Sequence, residues 1–102
     1  MLAERLSRPS ASAPSSDTHP TVACFSIQAV ADPSVMPRVL ELFAKRGMMP
    51  LRWHADLGGR RDELTIDLQV EGLDRPKAEQ IANAIRQMVA VVTVLTSEKS
   101  YA

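Results

Sequence analysis

The chain has 102 residues, 45% of them apolar, and its 12 Lys plus Arg are balanced by 12 Asp plus Glu. That length makes one domain, and a net charge of zero argues against nucleic acid or a membrane surface as a partner, because both call for a basic face. The single cysteine, Cys24, excludes an internal disulfide and fits a reducing cytoplasm, and no apolar run approaches the ~20 residues that span a bilayer.

Residues 1–20 stand apart. Pro9, Pro14, Pro20 and the six serines and alanines between Ser10 and Ser16 leave little to bury, which predicts a disordered tail. The first residues also lack the apolar core of a secretory signal. Periodicity begins at Thr21. Phe25, Ile27 and Ala29 alternate with Cys24, Ser26 and Gln28, the pattern of a half-buried strand. Val35, Val39, Leu42 and Phe43, with Met36 beside them, recur at helical spacing. Pro37 fits the first turn of that helix if Ser34 is its N-cap, since amides there have no partner within the helix. Lys45 and Arg46 suit the last turn, and Gly47 supplies a left-handed stop.

Met48 to Asp56 reads as a second strand, closed by a turn at Gly58-Gly59. The third strand alternates most clearly: Leu64, Ile66, Leu68 and Val70 on one side, Glu63, Thr65, Asp67, Gln69 and Glu71 on the other. After Gly72, Asp74 caps a second helix with an apolar stripe of Ala78, Ile81, Ala82, Ile85 and Met88. Val91 to Thr96 form a fourth strand, after which the end frays. The order β-α-β-β-α-β predicts an α+β, ferredoxin-like sandwich, with a four-stranded antiparallel sheet and both helices on one face. The folded domain is expected over 21–97, with 98–102 as a C-terminal tail.

Candidate sites are few. His54 and Asp56 share a strand face, but no third ligand accompanies them and no metal site is expected. Cys24 has no local base or cation to activate it. Phe25 and Phe43 fall on core positions, and the open face of the sheet presents Cys24, Ser26, Gln28, Thr65, Asp67 and Gln69, which is no stacking platform for RNA. Trp53 suits a core plug or an interface equally. The Asp32-Pro33-Ser34-Val35 loop leads into a helix whose first amides attract a carboxylate. Neither catalysis nor a cofactor is expected from these residues.

The run D-P-S-V-M-P-R-V-L-E-L-F-A-K-R-G, residues 32–47, resembles the D-x-P-G-V-L-x-R-V-x-x-L-F-A-x-R-G pattern of ACT domains. Within that family, E-G-L-D-R-P-K-A-E-Q-I and M-V-A-V-V-T-V are similar to segments of the small regulatory subunit of acetolactate synthase. The resemblance implies a non-catalytic regulatory protein that forms a homodimer through second strands and first helices. It also implies the acetolactate synthase large subunit as partner and a branched-chain amino acid as effector. The implied effector contacts are Asp32, Ser34 and Val35 from one copy and Met48, Met49 and Leu51 from the other. The alternative is a free-standing dimeric module of the same fold with no amino-acid ligand. Three departures bear on the site. Ser34 replaces the family glycine, Met49 replaces a polar residue, and Pro50 removes a donor from the second strand.

Overall fold

The computed structural model describes residues 21–100. The tail expected over 1–20 lies outside the described residues, as do residues 101–102. The elements are β1 (Thr21–Val30), α1 (Val35–Ala44), β2 (Arg52–Leu57), β3 (Glu63–Glu71), α2 (Arg75–Arg86) and β4 (Val91–Ser100). The strands form one antiparallel sheet in the order β2-β3-β1-β4. Each helix therefore carries the chain past one strand already in place, which is the ferredoxin-like βαββαβ arrangement expected.

Alternation sets which face each strand buries. Phe25 lies opposite Leu68, and Ile27 lies opposite both Ile66 and Val94. All five are buried, and they share one core with Val35, Val39 and Phe43 of α1 and with Ala78, Ile81, Ala82 and Ile85 of α2. Both helices thus cover the same face. The rings of Phe25 and Phe43 meet edge to face, with centroids 5.4 Å apart and planes at 80°, a geometry that adds quadrupole attraction to burial. Trp53, opposite Leu68, is half-buried on the helix side against this core. The other face is open among the described residues. It presents Cys24, Ser26 and Gln28 of β1 beside Gln69, Asp67 and Thr65 of β3.

The helix ends depart from the expectation in detail. At α2 the Asp74 carboxylate accepts the Lys77 amide at 3.0 Å, as expected of a cap. At α1 the side chain of Ser34 caps nothing. Its hydroxyl and its amide both donate to Asp32 Oδ1, each at 2.9 Å. The Ser34 hydroxyl is thus spent as a donor to the carboxylate two residues upstream, and the third residue of the helix, Pro37, has no amide to offer a cap. Helix α1 stops at Ala44, one residue before Lys45. Arg46 then donates through Nη1 to the Leu42 carbonyl at 2.7 Å, and Gly47 takes φ +71. At its far end α2 is clipped to β4: Arg86 Nη2 donates to the Val94 carbonyl at 2.8 Å, and Thr96 Oγ1 donates to Glu79 Oε2 at 2.9 Å.

Two strand boundaries also differ. β2 starts at Arg52, not at Met48, so Met48, Met49 and Leu51 precede it. Pro50 has no amide to offer a ladder, and the pairing opens with the Leu51 amide on the Gln69 carbonyl at 2.8 Å. β4 runs to Ser100, which pairs with Thr21. The three residues 98–100, expected in a tail, are strand. The polar run Ser97-Glu98-Lys99-Ser100 has no apolar alternation to announce it, because at this end the ladder is held by backbone bonds. A register shift at Gln28/Ala29 also kinks the pairing of β1 with β4.

The core predicts its own sensitivity. Phe43→Ala is expected to lower the unfolding free energy by about 3–5 kcal/mol, whereas Leu40→Ala on the outer side of α1 should change it by less than about 1 kcal/mol. Urea denaturation followed by circular dichroism measures both.

Candidate functional site

The loop between β1 and α1 is held rigidly by short-range bonds. The Ala31 amide donates to the Asp62 carbonyl at 3.1 Å, which ties the loop to the β2–β3 hairpin. The Asp32 amide turns back to the Val30 carbonyl at 2.8 Å, and the Val35 amide reaches the Asp32 carbonyl at 3.0 Å. The two Ser34 donors on Asp32 Oδ1 complete the clamp. These bonds, the backbone one foremost, hold the Asp32 carboxyl below the ordinary aspartate range. The Met36 amide has no acceptor among the described residues.

A concavity of about 340 Å³ opens beside this loop. Asp32, Pro33 and Met36 form one wall, and Ala55, Leu57 and Arg61 form much of the other. Arg61 belongs to the turn that joins β2 to β3. It holds φ 63, the left-handed region that an arginine enters at a cost of about 1–2 kcal/mol. Gly58 and Gly59, the residues that mark this turn in the sequence, do not take positive φ. The hairpin closes with the Arg61 amide on the Gly58 carbonyl at 2.9 Å and the Gly58 amide on the Glu63 carbonyl at 2.8 Å.

The six residues expected at an effector site divide into two groups. Asp32 lines the concavity, and Ser34 locks it from outside. The Val35 side chain is only 1% exposed and belongs to the core. Met48, half-buried, and Met49 and Leu51, 80% and 52% exposed, precede the opposite end of β2. Leu51 and Leu57 are about 20 Å apart along an extended chain, so a single copy does not bring the two groups together. Arg61, Ala55 and Leu57 were not expected at the site. An arginine in a Gly-rich turn reads as a solvated charge. Only the hairpin register, through the Asp62 carbonyl, brings it back beside Asp32.

Elsewhere, His54 Nε2 and Asp56 Oδ2 are 3.0 Å apart on the open face, both well exposed. No group of three or more His, Cys, Asp or Glu able to hold a metal occurs among the described residues. No helix there is long and apolar enough to cross a membrane.

Comparison with known proteins gives this arrangement its family. A family model described as an ACT-like domain matches residues 15–101. The chain belongs to the ACT-like domain family. Its fold is that of the ACT domain from GTP pyrophosphokinase of Chlorobium tepidum, with a TM-score of 0.65 at 13% identity over 76% of this chain and 99% of that one. The C-terminal domain of the MgtC protein from Mycobacterium tuberculosis gives 0.66 at 13% identity, covering 86% of this ACT-like chain and 97% of that domain. A glycine cleavage system transcriptional repressor, so assigned on a provisional basis, gives 0.67 at 13% identity over 89% of this chain. The ACT-like chain spans about half of that repressor, 54%. No curated protein matches the sequence.

Two measurements probe the loop. Asp32 has a lowered folded-state value, so its contribution to stability is present above the ordinary aspartate range and is lost as acid carries the pH down through the lowered value. Asp32→Asn should therefore flatten the acid side of the stability profile, measured as the urea midpoint against pH. Arg61→Gly should raise the unfolding free energy by about 1 kcal/mol, by removing left-handed strain.

Proposed function

We propose that this ACT-like chain is a non-catalytic regulatory subunit that binds a branched-chain amino acid beside Asp32, works as a homodimer in the cytoplasm, and modulates acetolactate synthase through its large subunit. The observation that carries the effector reading is the concavity, where opposite charges flank an apolar wall. Its volume of about 340 Å³ lies at the low end of the ~300–1,000 Å³ common for small-molecule sites. The Arg61 guanidinium and the unpartnered Met36 amide suit a carboxylate. Asp32 Oδ2, the oxygen that Ser34 leaves alone, suits an ammonium. Met36, Leu57 and Leu64 supply the apolar contact for a branched side chain.

The homodimer reading rests on β2. It is an edge strand, and Leu57 at its end and Met49 and Leu51 just before its start leave apolar surface exposed. The outer backbone groups of an edge strand are a template for strand addition. Antiparallel pairing of two β2 strands would bring the start of one beside the end of the other. Leu51 of the partner subunit would then approach Leu57 and Arg61, joining the two groups of effector residues that one copy keeps ~20 Å apart. Ligand bound across such a seam stabilises the pair by mass action, which is a route to regulation.

The synthase assignment rests on the resemblance of residues 32–47, 71–81 and 88–94. One observation favours the second reading, a dimeric module without a ligand: Asp32 and Ser34 already satisfy each other. Calorimetry separates the two. Valine, leucine or isoleucine should release heat at millimolar ligand or below, and Arg61→Ala should weaken binding about tenfold or more. Absence of heat with all three would remove the effector reading. Addition of the protein to the synthase large subunit should change the rate of acetolactate formation, and an unchanged rate would remove the enzyme assignment.

A further inference from the structure

A hollow of about 290 Å³ lies between the chain leaving α1 and the first turns of α2, and the effector reading does not use it. Its floor is apolar. The chain leaves α1 through Gly47, whose φ of +71 lets the Met48 amide turn back to the Phe43 carbonyl at 3.0 Å. That wrap sets Met48, half-buried, against the core. Leu73 and Ile81, only 2% and 1% exposed, complete the floor. The rim carries Arg46, Lys77 and Gln80. Arg46 is held in place, because its Nη1 donates to the Leu42 carbonyl at 2.7 Å, and its other nitrogens are left for a further acceptor.

No carboxylate lines this hollow, and neither Arg46 nor Lys77 pairs with one among the described residues. Four other concavities of the molecule each include at least one Asp or Glu. Two cations over a dry floor, with no acid beside them, attract an anion that has an apolar part. An amino acid fits badly, because both cations repel its ammonium group and only the Gln80 carbonyl is left to accept from it. Phosphate fits badly too. It is held at helix starts by free amides, and the first turn of α2 has few. The Lys77 amide already donates to Asp74 Oδ1 at 3.0 Å, the Ala78 amide donates to the Asp74 carbonyl at 2.9 Å, and Pro76 has no amide. The Asp74 charge at that spot also opposes a dianion. A small carboxylate needs only what is present: cations for its two oxygens and apolar contact for its chain. The volume, just below the ~300–1,000 Å³ common for small-molecule sites, suits a ligand of that size.

We propose that this hollow is a second binding site, which takes a short-chain monocarboxylate without an ammonium group. The carboxylate sits on Arg46 and Lys77, and the hydrocarbon chain lies on Met48, Leu73 and Ile81. The site is separate from the one beside Asp32 and does not depend on it.

Met48 lines this hollow and Met36 lines the concavity beside Asp32. NMR of the full chain, isotopically labelled at its methionine methyl groups, therefore reads both places in one titration. The probe is isovalerate, which is valine without its ammonium group. It should shift the Met48 signal saturably at millimolar concentration. Isoamyl alcohol, the same chain without the charge, should bind about tenfold more weakly. Lys77→Gln and Arg46→Gln should each weaken isovalerate binding by a similar factor, with an unchanged Met88 signal to confirm the fold. Valine should leave Met48 unmoved whether or not it moves Met36, so the two sites stand or fall separately. The proposal is overturned if isovalerate gives no saturable shift at Met48, or if its affinity is unchanged in either variant. Equal binding of the alcohol, of valine or of inorganic phosphate at Met48 would also overturn it.

Discussion

The structure depends on β1 lying in the middle of the sheet, paired on both edges, with its odd-numbered side chains turned toward the helices. Ala23, Phe25, Ile27 and Ala29 are all buried, and every other element is placed relative to them. β3 and β4 align their apolar positions against them, and α1 reaches them through the contact of Phe43 with Phe25. Because strand side chains alternate with period two, a slip of one residue would turn this whole row outward. The dense apolar pairing of Ile27 with Ile66 and Val94 is what forbids that slip.

Most of this frame was legible in the sequence, for a physical reason. The elements that bury one face have side chains that record it, as in Leu64, Ile66, Leu68 and Val70 or in the stripe from Ala78 to Ile85. Parts held by backbone bonds alone leave no such record. The last residues of β4 pair with Thr21, Val22 and Ala23 through main-chain groups, so their polar side chains gave no sign. The start of β2 was set by a missing donor at Pro50, whose effect on the ladder depends on what lies across from it. The N-terminal end of α1 needed knowledge of where the Ser34 hydroxyl sends its proton, and it goes back to Asp32 and not toward the helix.

The candidate site was legible by half. Asp32 could be singled out because it precedes a helix. Arg61 could not, since its importance comes from the fold of a turn and not from its neighbours in sequence. A left-handed arginine between a glycine pair and the third strand is a costly choice where glycine would be easier. Such strain gathers where a side chain has work to do, and this one borders a concavity whose opposite wall bears a carboxylate. The loop on that wall is already fixed by its own hydrogen bonds, so a ligand entering there would not have to order it first.

The kink where β4 leaves the register of β1 has an effect beyond local geometry. It twists one border of the sheet, and that border also ends in the charged pair Glu98 and Lys99. A bent, charged margin is a poor template for another chain, while the margin at β2 alternates Arg52, His54 and Asp56 with Trp53, Ala55 and Leu57. A misalignment of a single residue thus works against the addition of a further strand along β4.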